Sequence, residues 1–311
     1  MAGLRLHYPV RTLDNRLLLP AGSVLSAETL DVVVRSSKVR LYQTRSLFGH
    51  GTVETDLLQF IRQPPYHVIF ADEKRNSAVL SLMEKVHLVL PILESLDYFK
   101  HRDFYTYRHI LIVFALTTLL AQDMVENYQD LMQEITAGLM HDLGKICVSL
   151  EILKKSTPVT RTERRLLEHH APAGFVLLSH YFQDTQNLGT KVARDHHERK
   201  DGSGYPLGIM LTDRMVEIVA ACDIYDALLS PRPYRQTSYD NRTALEEITG
   251  MAQKGTLSWE IVQILVAYNR KSKPHYTECT VSREKRGEPP TDNVYGIIAP
   301  EPKSPPVADE Q

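Results

Sequence analysis

Three short segments carry side chains whose types and spacing suit metal-assisted hydrolysis. The first is Ala137-Gly-Leu-Met-His141-Asp142-Leu-Gly-Lys145, where a histidine and an aspartate stand side by side at the inner end of an apolar-periodic stretch (Leu131, Met132, Ile135, Leu139, Leu143). A neutral imidazole nitrogen and a carboxylate oxygen both bind divalent metals, and one carboxylate can bridge two ions. Taken alone, the pair reads first as a helix-end histidine capping a neighbouring carbonyl. The second segment is Val192-Ala-Arg-Asp195-His196-His197-Glu198-Arg-Lys-Asp201-Gly202-Ser203-Gly204-Tyr205-Pro206. Adjacent side chains on a helix point about 100° apart, so His196 and His197 reach one ion most easily where a helix gives way to a loop. By itself this stretch also reads as a solvated polar patch. The third, Ile218 to Leu229, places Asp223 and Asp226 at i and i+3 inside an apolar helix, on one face. Unpaired buried carboxylates are costly, so either a metal or an arginine such as Arg232 must sit beside them.

The elements that must position these groups are helical. The apolar run Ile110 to Ala121, opened by His109, is shorter than the 18 or so residues a membrane span needs and reads as a buried core helix. Thr160-Arg-Thr-Glu163 is a capping-box pattern opening a helix that carries Leu166, Leu167 and His170. Pro172 with Gly174 is expected to break the chain just after it, leaving His170 at a helix end. Gly144 is expected to end the helix carrying His141. Helical spacing runs from about Ser77 almost to Arg270, with Cys222 and Trp259 as core residues. Residues 1 to about 65 alternate short apolar pieces (Leu17-Leu18-Leu19, Val24-Leu25, Val32-Val33-Val34, Val39-Arg40-Leu41-Tyr42) with turn residues, which suggests short strands and a helix over Ala27 to Arg35. The fold class is therefore mainly α: a small N-terminal α+β domain at 1–90, a helical bundle at 91–285, and a proline-rich tail at 286–311 that is expected to be disordered.

At 311 residues the chain is long enough for two domains, or for one large and one small. With 43% apolar and 24% charged residues it has ordinary globular composition, which excludes wholesale disorder. The 36 basic and 38 acidic residues leave a formal charge of −2, so no global field draws the chain to nucleic acid or anionic lipid. Any anionic ligand must be held by a local site. Cys147, Cys222 and Cys279 fit neither a disulfide framework nor a zinc ribbon, and the first thirty residues lack the apolar core of a signal peptide. A reducing, cytoplasmic setting is expected.

In this order, with His109 opening the helix, the segments resemble the HD-GYP family of cyclic di-GMP phosphodiesterases, a branch of the HD-domain metal-dependent phosphohydrolases. The resemblance covers about residues 100 to 240. His196-His-Glu-Arg-Lys-Asp-Gly-Ser-Gly-Tyr-Pro206 reproduces the family's signature loop, and Arg232-Pro-Tyr-Arg235 follows Asp226 as in the family. It implies an HD-domain helical bundle around two divalent ions, iron or manganese by family habit. One ion would be held by His109, His141, Asp142 and Asp223, the other by Asp142 as bridge with His170, His196 and His197. Some members hold a third ion through a glutamate four residues before the first ligand histidine. Here that position is Tyr105, which implies two ions.

The implied activity is hydrolysis of cyclic di-GMP to linear pGpG, with a further step to GMP left open, by a metal-bridged hydroxide, with Asp142 and Lys145 as the catalytic side chains. Lys145 would reach a phosphate oxygen, and Arg232 and Arg235 would clamp the phosphates. Gly204, with Gly202, would let the loop turn beneath the ligand, while Tyr205 and Pro206 pack it and contact a base. Glu198, Asp201 and Asp226 would orient histidines from behind. Two aspartates against two divalent ions leave a bare centre of about +2, opposite in sign to a cyclic dinucleotide. Two alternatives stay open: a sensor that binds cyclic di-GMP without cutting it, and a hydrolase of another cyclic dinucleotide such as cyclic GMP-AMP. The N-terminal part resembles no receiver domain and is read as a regulatory or dimerising module. The expected partner is cyclic di-GMP, with no nucleic-acid polymer and no membrane; a homodimer and signalling proteins are compatible with this reading.

Overall fold

The computed structural model describes residues 4–36, 43–232, 235–293 and 297–301. The chain opens with an antiparallel pair, β1 (Val10–Arg11) and β2 (Leu17–Leu19), followed by α1 (Ala27–Ser36). The expected strand piece at Val39 to Tyr42 lies outside the described residues, and Val32 to Val34 belong to α1. A second pair, β3 (Thr44–Ser46) and β4 (His87–Val89), encloses α2 (Val53–Ile61) and α3 (Glu73–Met83). The helical part then runs through α4 (Leu90–Arg102), α5 (Phe104–Met124), α6 (Tyr128–Gly138), a 3₁₀ turn at Leu143–Cys147, α7 (Leu150–Leu153), β5 (Val159–Thr160), α8 (Arg161–Glu168), α9 (His170–Phe182) and α10 (Leu188–Asp195). It ends with α11 (Arg214–Leu229), α12 (Asn241–Gln253), α13 (Trp259–Asn269) and β6 (Ile298–Ala299).

Helix α5 is the axis of the bundle. Asp103 caps it by accepting from the Thr106 backbone N–H at 3.5 Å, with the Thr106 hydroxyl donating to its other oxygen at 2.6 Å, and every residue from His109 to Ala121 is buried among α2, α3, α4, α6, α11 and α13. It is long and apolar enough to cross a membrane by length and composition, with 83% of its most hydropathic window buried inside the protein. A helix apolar on all sides needs neighbours on all sides, and here other helices supply them.

One apolar core extends from Leu6 to Cys279, across the domain boundary expected at residue 90. Polar contacts cross it as well. The His180 ring meets the Val33 carbonyl (3.2 Å), and Tyr8 donates to the Thr162 carbonyl (3.3 Å). The N-terminal segment is thus packed onto the bundle by a shared interior. At the other end, part of the expected tail is fixed: β6 pairs in parallel with β5, Val159 opposite Ile298 and Thr160 opposite Ala299. Residues 294–296 and 302–311 lie outside the described residues.

Two local readings change. The helix carrying the residues before His141 ends at Gly138, with Leu139 as its C-cap, so Gly144 does not terminate it. Gly144 instead sits where backbone meets backbone: a Cβ there would lie 1.9 Å from the His170 carbonyl oxygen. The capping box at Thr160 and Glu163 is present, but the break falls at His169, between α8 and α9. Pro172 lies in the first turn of α9, where no intrahelical acceptor awaits its missing N–H.

Candidate metal centre

Five elements deliver seven ionisable side chains to one buried point. The second turn of α5 brings His109, the turn after α6 brings His141 and Asp142, and the start of α9 brings His170. The end of α10 brings His196 and His197, and the middle of α11 brings Asp223. They form two groups, His109 with His141 and Asp223, and His170 with His196 and His197; within each, the donor atoms lie within 4.8 Å of one another. Asp142 stands between. Its Oδ2 is 3.5 Å from His109 Nε2 and 3.4 Å from His141 Nε2, while its Oδ1 is 3.6 Å from His170 Nε2. A carboxylate with one oxygen toward each group has the disposition of a bridge.

The hydrogen bonds behind the rings fix where the protons sit. His141 Nδ1 faces the Gly138 carbonyl (2.9 Å), His170 Nδ1 that of Leu167 (2.5 Å) and His196 Nδ1 that of Val192 (2.9 Å). A carbonyl only accepts, so each Nδ1 carries the hydrogen and each Nε2 presents a lone pair. These lone pairs face one another: His141 and His109 Nε2 are 3.3 Å apart, His170 and His196 3.3 Å, and His197 and His170 3.0 Å. Lone pairs that converge in a dry interior are stable around cations, so the donor set fits divalent metals. Burial pushes His170 down to about 4 and His196 down to about 3, keeping both imidazoles neutral at physiological pH. Burial works against ionisation of Asp142, but Lys145 and then His141 outweigh it and hold the carboxyl well below its usual range.

Asp226 lies behind the centre, as expected of an orienting group. Its Oδ2 is 2.5 Å from His109 Nδ1, its Oδ1 accepts from Tyr66 and, at 3.1 Å, from Ser230, and Arg108 approaches to 3.9 Å. Tyr66 and Arg108 were invisible as site residues in the sequence, since Tyr66 is 160 positions from its partner. Burial opposes a charge on His109, yet Asp223 and Asp226 raise its pKa.

Other expected roles change. The Glu198 carboxylate accepts from the backbone N–H groups of Leu207 (2.6 Å), Gly208 (3.2 Å) and Ile209 (3.1 Å), tying the loop closed, and hydrogen-bonds to no ligand imidazole among the described residues. Asp201 is exposed and bonds the Ser203 amide and hydroxyl, a local turn rather than a histidine support. Arg235 donates through Nη2 to the carbonyls of Ala227 (2.6 Å), Leu228 (2.9 Å) and Ser230 (3.0 Å), so it is tied to the end of α11 while it also lines the cavity above the centre. Arg232 packs over the Tyr105 ring at 4.6 Å, and that ring stacks on His109.

A cavity of about 450 Å³ opens above the centre. Its floor includes Asp142, His170, His197 and Asp223, with Lys145 and Arg232 on its sides. Lys145 Nζ lies 2.5 Å from Asp142 Oδ2. Tyr205 stacks on His197 at 4.5 Å and lines the same space. Gly204 brings the loop against the backbone, where a Cβ would lie 2.3 Å from the His197 carbonyl oxygen. Neither Gly204 nor Pro206 lines the cavity, so both shape the loop from below.

Comparison with known proteins agrees with this geometry. The HD domain family model matches residues 100–257. A cyclic di-GMP phosphodiesterase of Thermotoga maritima is 33% identical over 217 residues, covering 63% of this chain and 58% of that protein. One of Pseudomonas aeruginosa is 38% identical over 164 residues, 52% of this chain and 38% of that protein. A 3′3′-cGAMP-specific phosphodiesterase of Vibrio cholerae is 29% identical over 178 residues, 55% of this chain and 39% of that protein. The chain thus spans less than two thirds of the length of these relatives. Because the family match takes in half of the chain and all seven converging side chains, from His109 to Asp223, the chain belongs to the HD-domain family.

Proposed function

We propose that this protein is a metal-dependent phosphodiesterase that opens cyclic di-GMP to the linear dinucleotide. The observation that carries the reading is Asp142, one oxygen toward each of two imidazole groups whose Nε2 lone pairs converge. His109, His141, Asp142 and Asp223 would hold one divalent ion, and Asp142, His170, His196 and His197 a second; a donor set of imidazoles and carboxylates without thiolate suits iron or manganese. When bound, such a pair supplies Lewis-acid polarisation of a phosphodiester and activation of water.

The chain's own groups do the rest. Asp226 fixes the tautomer and orientation of His109. Lys145 brings a cation to the cavity side of Asp142, where it meets negative charge developing on a phosphate. Arg232 adds a second positive group in the same cavity, and Tyr205, backed by His197, offers a flat ring to a base. Relatives named for cyclic di-GMP and for cyclic GMP-AMP both align with this chain, and their shared chemistry supports the phosphodiester class. Cyclic di-GMP is favoured by relatives of 38% and 40% identity named for it, against 29%, 35% and 31% for those named for cyclic GMP-AMP.

The test is turnover by protein purified anaerobically and loaded with iron or manganese, with cyclic di-GMP and cyclic GMP-AMP in parallel and products separated by chromatography. Release of linear dinucleotide that stops on chelation is expected, faster from cyclic di-GMP. Tight binding without product defeats the hydrolytic reading and favours a sensor.

A further inference from the structure

Described residues of the segment beyond the HD-domain match are anchored on both banks of the cavity. On one bank Glu246 accepts from the backbone N–H groups of Arg286 (2.8 Å) and Gly287 (2.7 Å), and Asp292 accepts from the Thr237 amide (2.9 Å). On the other, Ile298 and Ala299 pair with Val159 and Thr160, and Glu301 accepts from the Thr162 amide (2.9 Å) and hydroxyl (3.1 Å) at the start of α8. Between these anchors Ile297 and Ile298 line the cavity. They extend an apolar wall begun by Ile152, Leu153 and Val159, above a floor of imidazoles and carboxylates. Ile297 keeps 53% of its surface exposed, an apolar side chain only half covered by protein.

A cavity with a cation-holding floor and an apolar wall matches a ligand of the same division. A nucleotide has it: anionic phosphate on one side, and base faces that bind apolar and aromatic surfaces on the other. We infer that Ile297 and Ile298 are substrate-positioning residues, a wall supplied by the C-terminal segment against which a nucleobase of the substrate lies while its phosphate meets the floor. The inference takes its ligand class from the phosphodiesterase reading and adds to the site two residues some forty positions past the end of the family match.

Two variants of the full metal-loaded protein test it: the double substitution Ile297→Ser with Ile298→Ser, and a chain ending at Asn293. The probes are the slowly cleaved bis-phosphorothioate analogue of cyclic di-GMP, followed by calorimetric titration, and inorganic phosphate, which reaches only the floor. Both variants should bind the analogue about tenfold more weakly while phosphate affinity and metal content stay at wild-type values. Equal loss of phosphate and analogue binding would mean a general disturbance and overturn the inference. So would unchanged affinity, tighter binding after truncation (the segment then merely obstructs), or a wild type that does not bind the analogue. If the analogue follows the expected pattern while cyclic di-GMP is never cleaved, the wall stands and only the hydrolytic reading falls.

Discussion

Replacing Gly144 by alanine separates two accounts of why a glycine follows the His-Asp pair. Gly144 has no left-handed φ, so alanine can adopt its backbone conformation. What it cannot do is fit: its Cβ would lie 1.9 Å from the His170 carbonyl oxygen and 2.5 Å from the Gly174 nitrogen. Carbon and carbonyl oxygen come no closer than about 3.3 Å, so the start of α9 must retreat by about 1.4 Å. Both obstacles are backbone, and no rotamer change relieves them. His170 rides on that backbone, with Nε2 3.6 Å from Asp142 Oδ1. Metal ligands must be held to within about 0.5 Å, so the His170, His196 and His197 group should lose most of its affinity while the His109 group persists. The variant should hold about half the wild-type metal, turn over about 10²-fold more slowly and lose about 1–3 kcal/mol of stability. Elemental analysis after dialysis against a weak chelator, a steady-state turnover assay and a denaturant melt followed by far-ultraviolet circular dichroism read the three effects. A Gly144→Ala protein with full metal content and wild-type stability would refute the close-packing argument.

Lys145→Met should keep its metal while kcat falls about 10²-fold, because it removes a charge from the reacting side and no ligand atom; an unaltered kcat in a steady-state assay would remove Lys145 from the mechanism. Glu198→Ala leaves the amides of Leu207, Gly208 and Ile209 without their acceptor, costing about 1–3 kcal/mol and opening the loop to limited proteolysis. Asp201→Ala, at an exposed turn, should stay within about 0.5 kcal/mol of wild type in the same assays. Burial, and then the charge of Asp213, push the Glu134 carboxyl well above its usual 4.5, and neither of its oxygens has a hydrogen-bond partner among the described residues. A folded-state pKa raised above the unfolded one gives stability that is full below 4.5 and lost as pH rises, at up to about 1.4 kcal/mol per unit. The stability of Glu134→Gln relative to wild type should therefore grow between pH 5 and pH 8; parallel melting curves across that range would show that Glu134 does not titrate in this way.

Much of the site was legible because its signals are local. Side-chain type decides which residues can bind a metal, and helical spacing together with the loop from His196 to Pro206 marks the segments that carry them. The apolar run after His109 demands burial wherever it lies, and the bundle buries it. The capping box at Thr160 is likewise complete within four residues.

Other roles depend on which surfaces meet, and no stretch of sequence contains that. Gly144 looks like a helix terminator until α9 is laid against it. Arg235 reads as a phosphate clamp, and the structure adds that α11 ends within reach of its Nη2, which three carbonyls take while the residue lines the cavity. Glu198 serves the loop and not a histidine because the chain turns back and presents three amides to it. Tyr66 supports Asp226 from far away in sequence, and the C-terminal segment joins the cavity through two residues of parallel pairing. Sequence by itself determined which atoms can grip cations and which helices must carry them. Tertiary structure decided which of the surrounding charged groups face the cavity and which are spent on unpaired backbone, because a buried amide or carbonyl takes the nearest partner that packing brings to it.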